Sequence, residues 1–196
     1  MGRAKLAIEL ADGLPLGQLA LRSLSESGLL EEIFVVARPD DPLGWLSNTV
    51  KESSIPLRVV NCSDASEGMS RSLQCGINAA LSSSAEAEAT LVALADQPFV
   101  TAAMVRRLLF ALQSDNGLHY AASANGEAAM PPAVFRRVML PAFERLQGDA
   151  GARALFADRG WRGVALRGSE EDDQRLLDVD DESVLAAARI WYRHLF

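Results

Sequence analysis

The sequence predicts an α/β fold in three layers, with a mostly parallel sheet covered by helices on both faces. Three observations carry this. Short apolar, β-branched runs alternate with segments of helical periodicity from residue 15 to residue 113. The runs are apolar at consecutive positions, as strands buried on both faces are. Hydrophobic residues make up 49% and charged residues 23% of the 196, the balance of a folded chain with a proper core.

Each element has its own signal. "PLGQLALRSLSESG" opens with Pro15, lines Leu16, Leu19, Ala20 and Leu24 on one face, and stops at Gly28. "EIFVVAR" and "PLRVVN" are the next strands, with a helix expected over 42–54 between them. "GMSRSLQCGINAALSS" is a helix starting near Gly68, and "ATLVALAD" a strand ending at Asp96. Thr101 caps a helix that turns Met104, Val105, Leu108, Leu109 and Leu112 inward.

Beyond residue 117 the rhythm loosens. "LHYAAS" and "PAVF" are strands, "RRVMLPAFERL" and "GARALFADRG" helices, and "SEEDDQR" a solvated loop. A short apolar strand ends in "DVDD", after which residues 181–195 form a helix along Val184, Leu185, Ala188, Trp191, Tyr192 and Leu195.

Composition narrows the function. A net charge of −7 supplies no field to attract nucleic acid, so no nucleic-acid partner is expected. No apolar stretch approaches a membrane span, and no secretory leader pattern opens the chain. Cys62 and Cys75 have neither the spacing nor the histidine neighbours of a zinc site, and are expected to be reduced thiols of a cytoplasmic protein. His119 and His194 are expected to be structural, and so few histidines support no Ser-His-Asp arrangement.

Ligands of open α/β sheets bind beyond the carboxyl ends of the strands. Asp96, held there by Gln97 and Pro98, is a candidate Mg²⁺ ligand or a cap of the turn before Thr101. Asp178 and Asp180 share a parity in an extended strand, so either could reach a metal, while Asp181 is a natural helix cap. Gly68, Ser70 and Ser72 can offer hydroxyls and helix-terminal amides to an anion or a base, or serve as a plain cap. Asp149 and Arg153 can pair within one helix or contact a substrate anion.

In order along the chain, "MGRAKL", "DGLPLGQLALRSLSESGL", "EGMSRSLQCG", "LADQPFV", "PPAVFRR", "LQGDAGARALF" and "LLDVDDESV" resemble the nucleotidyltransferases that mature molybdenum cofactors, the molybdopterin cytidylyl- and guanylyltransferase group. The resemblance implies a Rossmann-like sheet and Mg-dependent transfer of a nucleotidyl group from CTP or GTP to a phosphorylated acceptor of the molybdopterin type, releasing pyrophosphate. A molybdoenzyme or its chaperone would be a further partner. It implies that Asp96 and Asp180 hold Mg²⁺, that Lys5 and Asp96 are catalytic, and that Gly2, Arg3, Lys5, Gly68, Ser70 and Ser72 contact the nucleotide, with Asp149 and Arg153 toward the acceptor. The group's first strand and its Leu-Ala-Ala-Gly-x-Ser-x-Arg loop would precede Met1, so residues 1–196 are expected to be one N-terminally truncated domain. A sugar-phosphate acceptor, or a degenerate relative serving in binding or assembly, are the alternatives.

Overall fold

The computed structural model describes residues 5–46, 53, 55–83 and 86–195. Two sheet portions form its centre. β3 (Ile33–Ala37) and β4 (Leu57–Asn61) pair in parallel. β5 (Ala89–Val92), β6 (Tyr120–Asn125), β7 (Ala128–Arg136) and β8 (Gly163–Arg167) form a four-stranded sheet in the order β5-β7-β6-β8. β1 (Glu9–Ala11) and β2 (Leu14–Pro15) make a small antiparallel ribbon.

Layering follows from the period of two along the central strands. Ala121 of β6 and Val134 of β7 face α3 (Ala102–Ser114), packing on Leu108 and Leu112. Their neighbours Tyr120, Ala122, Ala133 and Phe135 face the opposite way, toward Leu73, Ile77 and Leu81 of α2 (Met69–Ser83). α1 (Leu16–Ser25) covers β3 and β4 through Leu21 and Leu24. Behind β3, Gly76 of α2 lies so close to Val36 that an added Cβ would stand 2.9 Å from it. Helices therefore flank both sheet portions on both faces, the α/β arrangement expected.

Several elements differ from expectation, each for a local reason. The sheet is mixed rather than mostly parallel, because β7 returns from β6 across a turn at Gly126 (φ +57°) and runs antiparallel to both β6 and β5. β7 is also longer than "PAVF": the register shift between Ala122 and Ser123 steps over Pro131 and Pro132, which have no N–H to give the ladder. Pro141 keeps Arg137–Arg145 a 3₁₀ segment. α4 is only Arg153–Phe156. The acidic run "SEEDDQR", expected as a loop, forms α5 (Glu170–Arg175), because Ser169 and Asp172 make a reciprocal capping box. The strand expected before "DVDD" is absent; residues 177–180 have no regular structure. In 42–54 the described residues show a 3₁₀ turn, Gly44–Leu46, preceded by irregular backbone at 42 and 43; 47–52 and 54 of the expected helix lie outside the described residues.

Other expectations hold. Thr101 Oγ1 accepts from the Met104 amide at 3.2 Å, capping α3. α6 (Glu182–Leu195) packs Leu185 and Ala188 on Leu10, Leu16, Leu19 and Val179, with Trp191 edge-on to Phe99 at 4.3 Å between centroids. His119 is structural, its Nδ1 accepting from the Arg162 amide at 3.0 Å. The cysteines correct the expectation of free thiols. The end of β4 and the second turn of α2 bring their Cα atoms to 6.0 Å, and a disulfide joins Cys62 to Cys75. Among the described residues no helix is long and apolar enough to cross a membrane.

Candidate active site

Lys5 opens a 3₁₀ turn, Lys5–Ala7, whose next residue, Leu6, packs into the cluster beneath α1 and so fixes where the lysine emerges. Asp96 stands in the turn that follows β5, beyond the carboxyl end of that strand. Asp180 closes the irregular stretch before α6. These distant positions meet: Lys5 Nζ lies 2.7 Å from Asp96 Oδ2 and 2.9 Å from Asp180 Oδ1. The lysine and Asp96 side chains are each 23% exposed, and that of Asp180 is 70% exposed.

The electrostatics follow from this geometry. Burial alone would lower the Lys5 pKa, but hydrogen bonds and charge from Asp96 and Asp180 together outweigh it and hold the ammonium above the ordinary lysine value. Asp178 is half-buried, and desolvation, aided by the like charges of Asp96 and Asp180, pushes its carboxyl up against the opposing hydrogen bond of Gln97. Asp178 and Asp180 do not share a face as expected of a strand: one turns inward and the other to solvent. Asp181 caps α6, accepting from the Ser183 hydroxyl at 2.6 Å and the Val184 amide at 2.9 Å. The Ser183 hydroxyl bond, with the Val184 amide, holds its carboxyl below the ordinary range.

A second group forms where α2 begins. Gly68, at φ +129°, lies so close to Gly148 that any side chain would collide with that backbone. The Ser70 amide donates to Gly148 O at 3.0 Å, so one N–H expected for an anion is already engaged. Ser70 is buried at 1%, and Ser72 is half-buried on the same helix. The partner loop carries Asp149, exposed, and leads to Arg153 at the start of α4; no ion pair joins those two side chains among the described residues. Gly68, Ser70 and Asp149 are thus neighbours, while no hydrogen bond or ion pair among the described residues ties them to Lys5, Asp96 and Asp180. Gly2 and Arg3 lie outside the described residues.

In the sequence Gln97 serves only, with Pro98, to end the strand at Asp96, and Gly148 carries no role. A glutamine between Asp96 and Pro98, followed by the apolar Phe99 and Val100, is the available signal for a larger part for the first; Gly148 has none, because its importance lies in a contact with Gly68, 80 positions away in the chain. Among the described residues no group of three or more His, Cys, Asp or Glu is placed to hold a metal. What the site does provide is a single position where a cation meets oxygens of two carboxylates, taken here by the ammonium.

Comparison with known proteins agrees with this architecture. The purine catabolism protein PucB of Bacillus subtilis (strain 168) is 30% identical over 183 residues, covering 92% of this chain and 85% of that protein. The crystal structure of 4-diphosphocytidyl-2C-methyl-D-erythritol synthase from Anaerococcus prevotii superposes with a TM-score of 0.75 at 15% identity, covering 97% of this chain and 94% of that one. Molybdopterin-guanine dinucleotide biosynthesis protein A from Archaeoglobus fulgidus gives 0.60 at 14% identity, covering 97% and 91%. A family model, the MobA-like NTP transferase domain, matches residues 1–164, and the chain belongs to that family of nucleotidyltransferases.

Proposed function

We propose that residues 1–196 act as one domain that transfers a nucleotidyl group from CTP or GTP to the phosphate of a molybdopterin-type acceptor, with release of pyrophosphate. The observation that carries this is the convergence of Lys5, Asp96 and Asp180 beyond the carboxyl end of β5, where sheets of this class bind ligands. The molybdopterin-guanine protein among the structural neighbours supports the acceptor class, and the diphosphocytidyl synthase supports CTP beside GTP.

The donor set fits Mg²⁺. That ion takes oxygen ligands, commonly one or two carboxylates with the remaining places filled by water and substrate phosphate. Asp96 and Asp180 would hold it, and when bound it would neutralise charge on the phosphoryl oxygens. The rest of the work falls to the chain. Lys5 is kept charged by its acidic neighbours and is set to turn its ammonium to the triphosphate. Asp96, anchored on the turn after β5, fixes where that charge is held. Gly68, Ser70 and Ser72 bind and orient the nucleotide, and Asp149 with Arg153 faces the acceptor across the Gly68–Gly148 contact.

The test is pyrophosphate release, measured with each of the four nucleoside triphosphates and Mg²⁺ against molybdopterin and a panel of sugar phosphates. Release with CTP or GTP and molybdopterin is expected. Release only with sugar phosphates would replace the acceptor, and release with none would remove the activity.

A further inference from the structure

Gln97, next to Asp96, is fully buried. Its Nε2 donates to Leu176 O at 3.4 Å, the carbonyl two residues before Asp178. Its Oε1 is buried with no partner, as is Asp178 Oδ1. A buried amide with an unpaired oxygen opposes folding, and a methionine of similar length would carry no such group. Stability therefore gives no reason for a glutamine here; its contacts do.

Those contacts all fall on the stretch that ends at Asp180. The Leu176 carbonyl meets the Gln97 side chain, and the Val179 amide donates to Asp96 O at 3.0 Å. Residues 177–180 have no regular structure, and the Asp180 side chain is exposed with Lys5 as its ion-pair partner. An exposed carboxylate on irregular backbone samples many conformations unless the backbone beneath it is tied down. The Asp96–Gln97 pair supplies that tie, and Asp96 is itself the other carboxylate on Lys5. We infer that Gln97 is a positioning residue, whose buried carboxamide fastens the backbone at Leu176 to the Asp96 turn and thereby, with the Val179–Asp96 bond, sets the separation of Asp96 and Asp180 across Lys5. Its consequence for catalysis rests on the nucleotidyl-transfer reading above; the fastening itself does not.

The experiment uses the full chain and the variant Gln97→Met, which keeps the length and removes both polar atoms. Hydrogen exchange is followed at the Val179 amide, thermal unfolding monitors the fold, and pyrophosphate release is compared in the wild-type and Asp180→Ala backgrounds. Val179 exchange should rise about tenfold or more while the unfolding transition stays cooperative. Activity should fall by about tenfold or more in the wild-type background. In the Asp180→Ala background it should change by less than about twofold, since the two residues act through one position. Unchanged Val179 protection, or an equal loss of activity in both backgrounds, overturns the assignment. If Gln97→Met fails to fold, Gln97→Asn, too short to reach Leu176, is read by the same exchange criterion. If the wild type releases no pyrophosphate from any nucleotide, the functional reading fails and the exchange result alone decides the fastening.

Discussion

The Lys5 ammonium lies 2.7 Å from the Asp96 carboxylate, a residue 91 positions later in the chain. With Asp180 on its other side, the ammonium ties the turn after β5 and the stretch before α6 to the chain's first described residue. Because the folded-state pKa of Lys5 is raised, the stabilisation is fully present below the unfolded lysine value and is lost as pH rises through the folded one. Stability of the wild type should therefore fall in the alkaline range, above ordinary lysine titration, by more than that of Lys5→Met. Urea unfolding across that range checks this, and parallel curves for the two proteins would mean that the pair contributes nothing.

Asp178 gives the opposite sign near acid pH. Its raised pKa means that the folded state binds the proton more tightly than the unfolded chain, so this group favours folding when protonated and disfavours it once ionised. Asp178→Asn should be more stable than wild type at neutral pH, with the advantage shrinking as pH falls through the raised value toward the ordinary aspartate range. Denaturation midpoints at several pH values measure this. An advantage that does not depend on pH would point to packing instead of charge.

Gly68→Ala should destabilise by about 1–3 kcal/mol, from a left-handed backbone plus collision with Gly148. Gly13→Ala is the comparison: its φ is +70° and an added Cβ meets nothing within 4 Å, so it gives the cost of a positive φ free of collision, about 1 kcal/mol. Chemical unfolding of the two variants separates the terms. Equal losses would remove the argument that the α2 terminus and the Gly148 loop are in contact.

The Cys62–Cys75 disulfide closes a loop of sequence separation 13 that contains Gly68, Ser70 and Ser72. Reduction should lower stability by about 3 kcal/mol through the unfolded chain's regained freedom. A reducing agent should shift the unfolding midpoint of the wild type and leave that of the Cys62→Ser/Cys75→Ser double variant unmoved. If neither moves, the thiols are unpaired in solution.

Local chemistry made much of the fold legible. Thr101, Gly28, the apolar face of α3 and the stripe of α6 stand where sequence patterns put them, because caps and 3.6-residue periodicity are local properties. The run 169–175 departs from the expected loop for a reason that is also local. Acidic residues suit a helix's first turn, and Ser169 with Asp172 outweighs the solvated-loop composition. β7 reaches beyond "PAVF" through Pro131, and only the paired β6 shows the register shift that accommodates the two prolines. For the site, the sequence marks Asp96 as the acid closing an apolar run, although β5 itself stops at Val92 and Asp96 stands in the turn beyond it, whereas the role of Gln97 and the Gly68–Gly148 contact depend on segments that meet only in three dimensions.

The central claim is that the carboxylates around Lys5 serve nucleotidyl transfer, and Asp96→Asn tests it most directly. The substitution keeps size and shape, leaves Lys5 paired with Asp180, and removes one charge from the position where a cation meets two carboxylates. Pyrophosphate release is measured with CTP or GTP, molybdopterin and saturating Mg²⁺. The rate should fall by about 10²–10³ relative to wild type, with the unfolding transition retained. Release at the wild-type rate from folded Asp96→Asn would contradict the account.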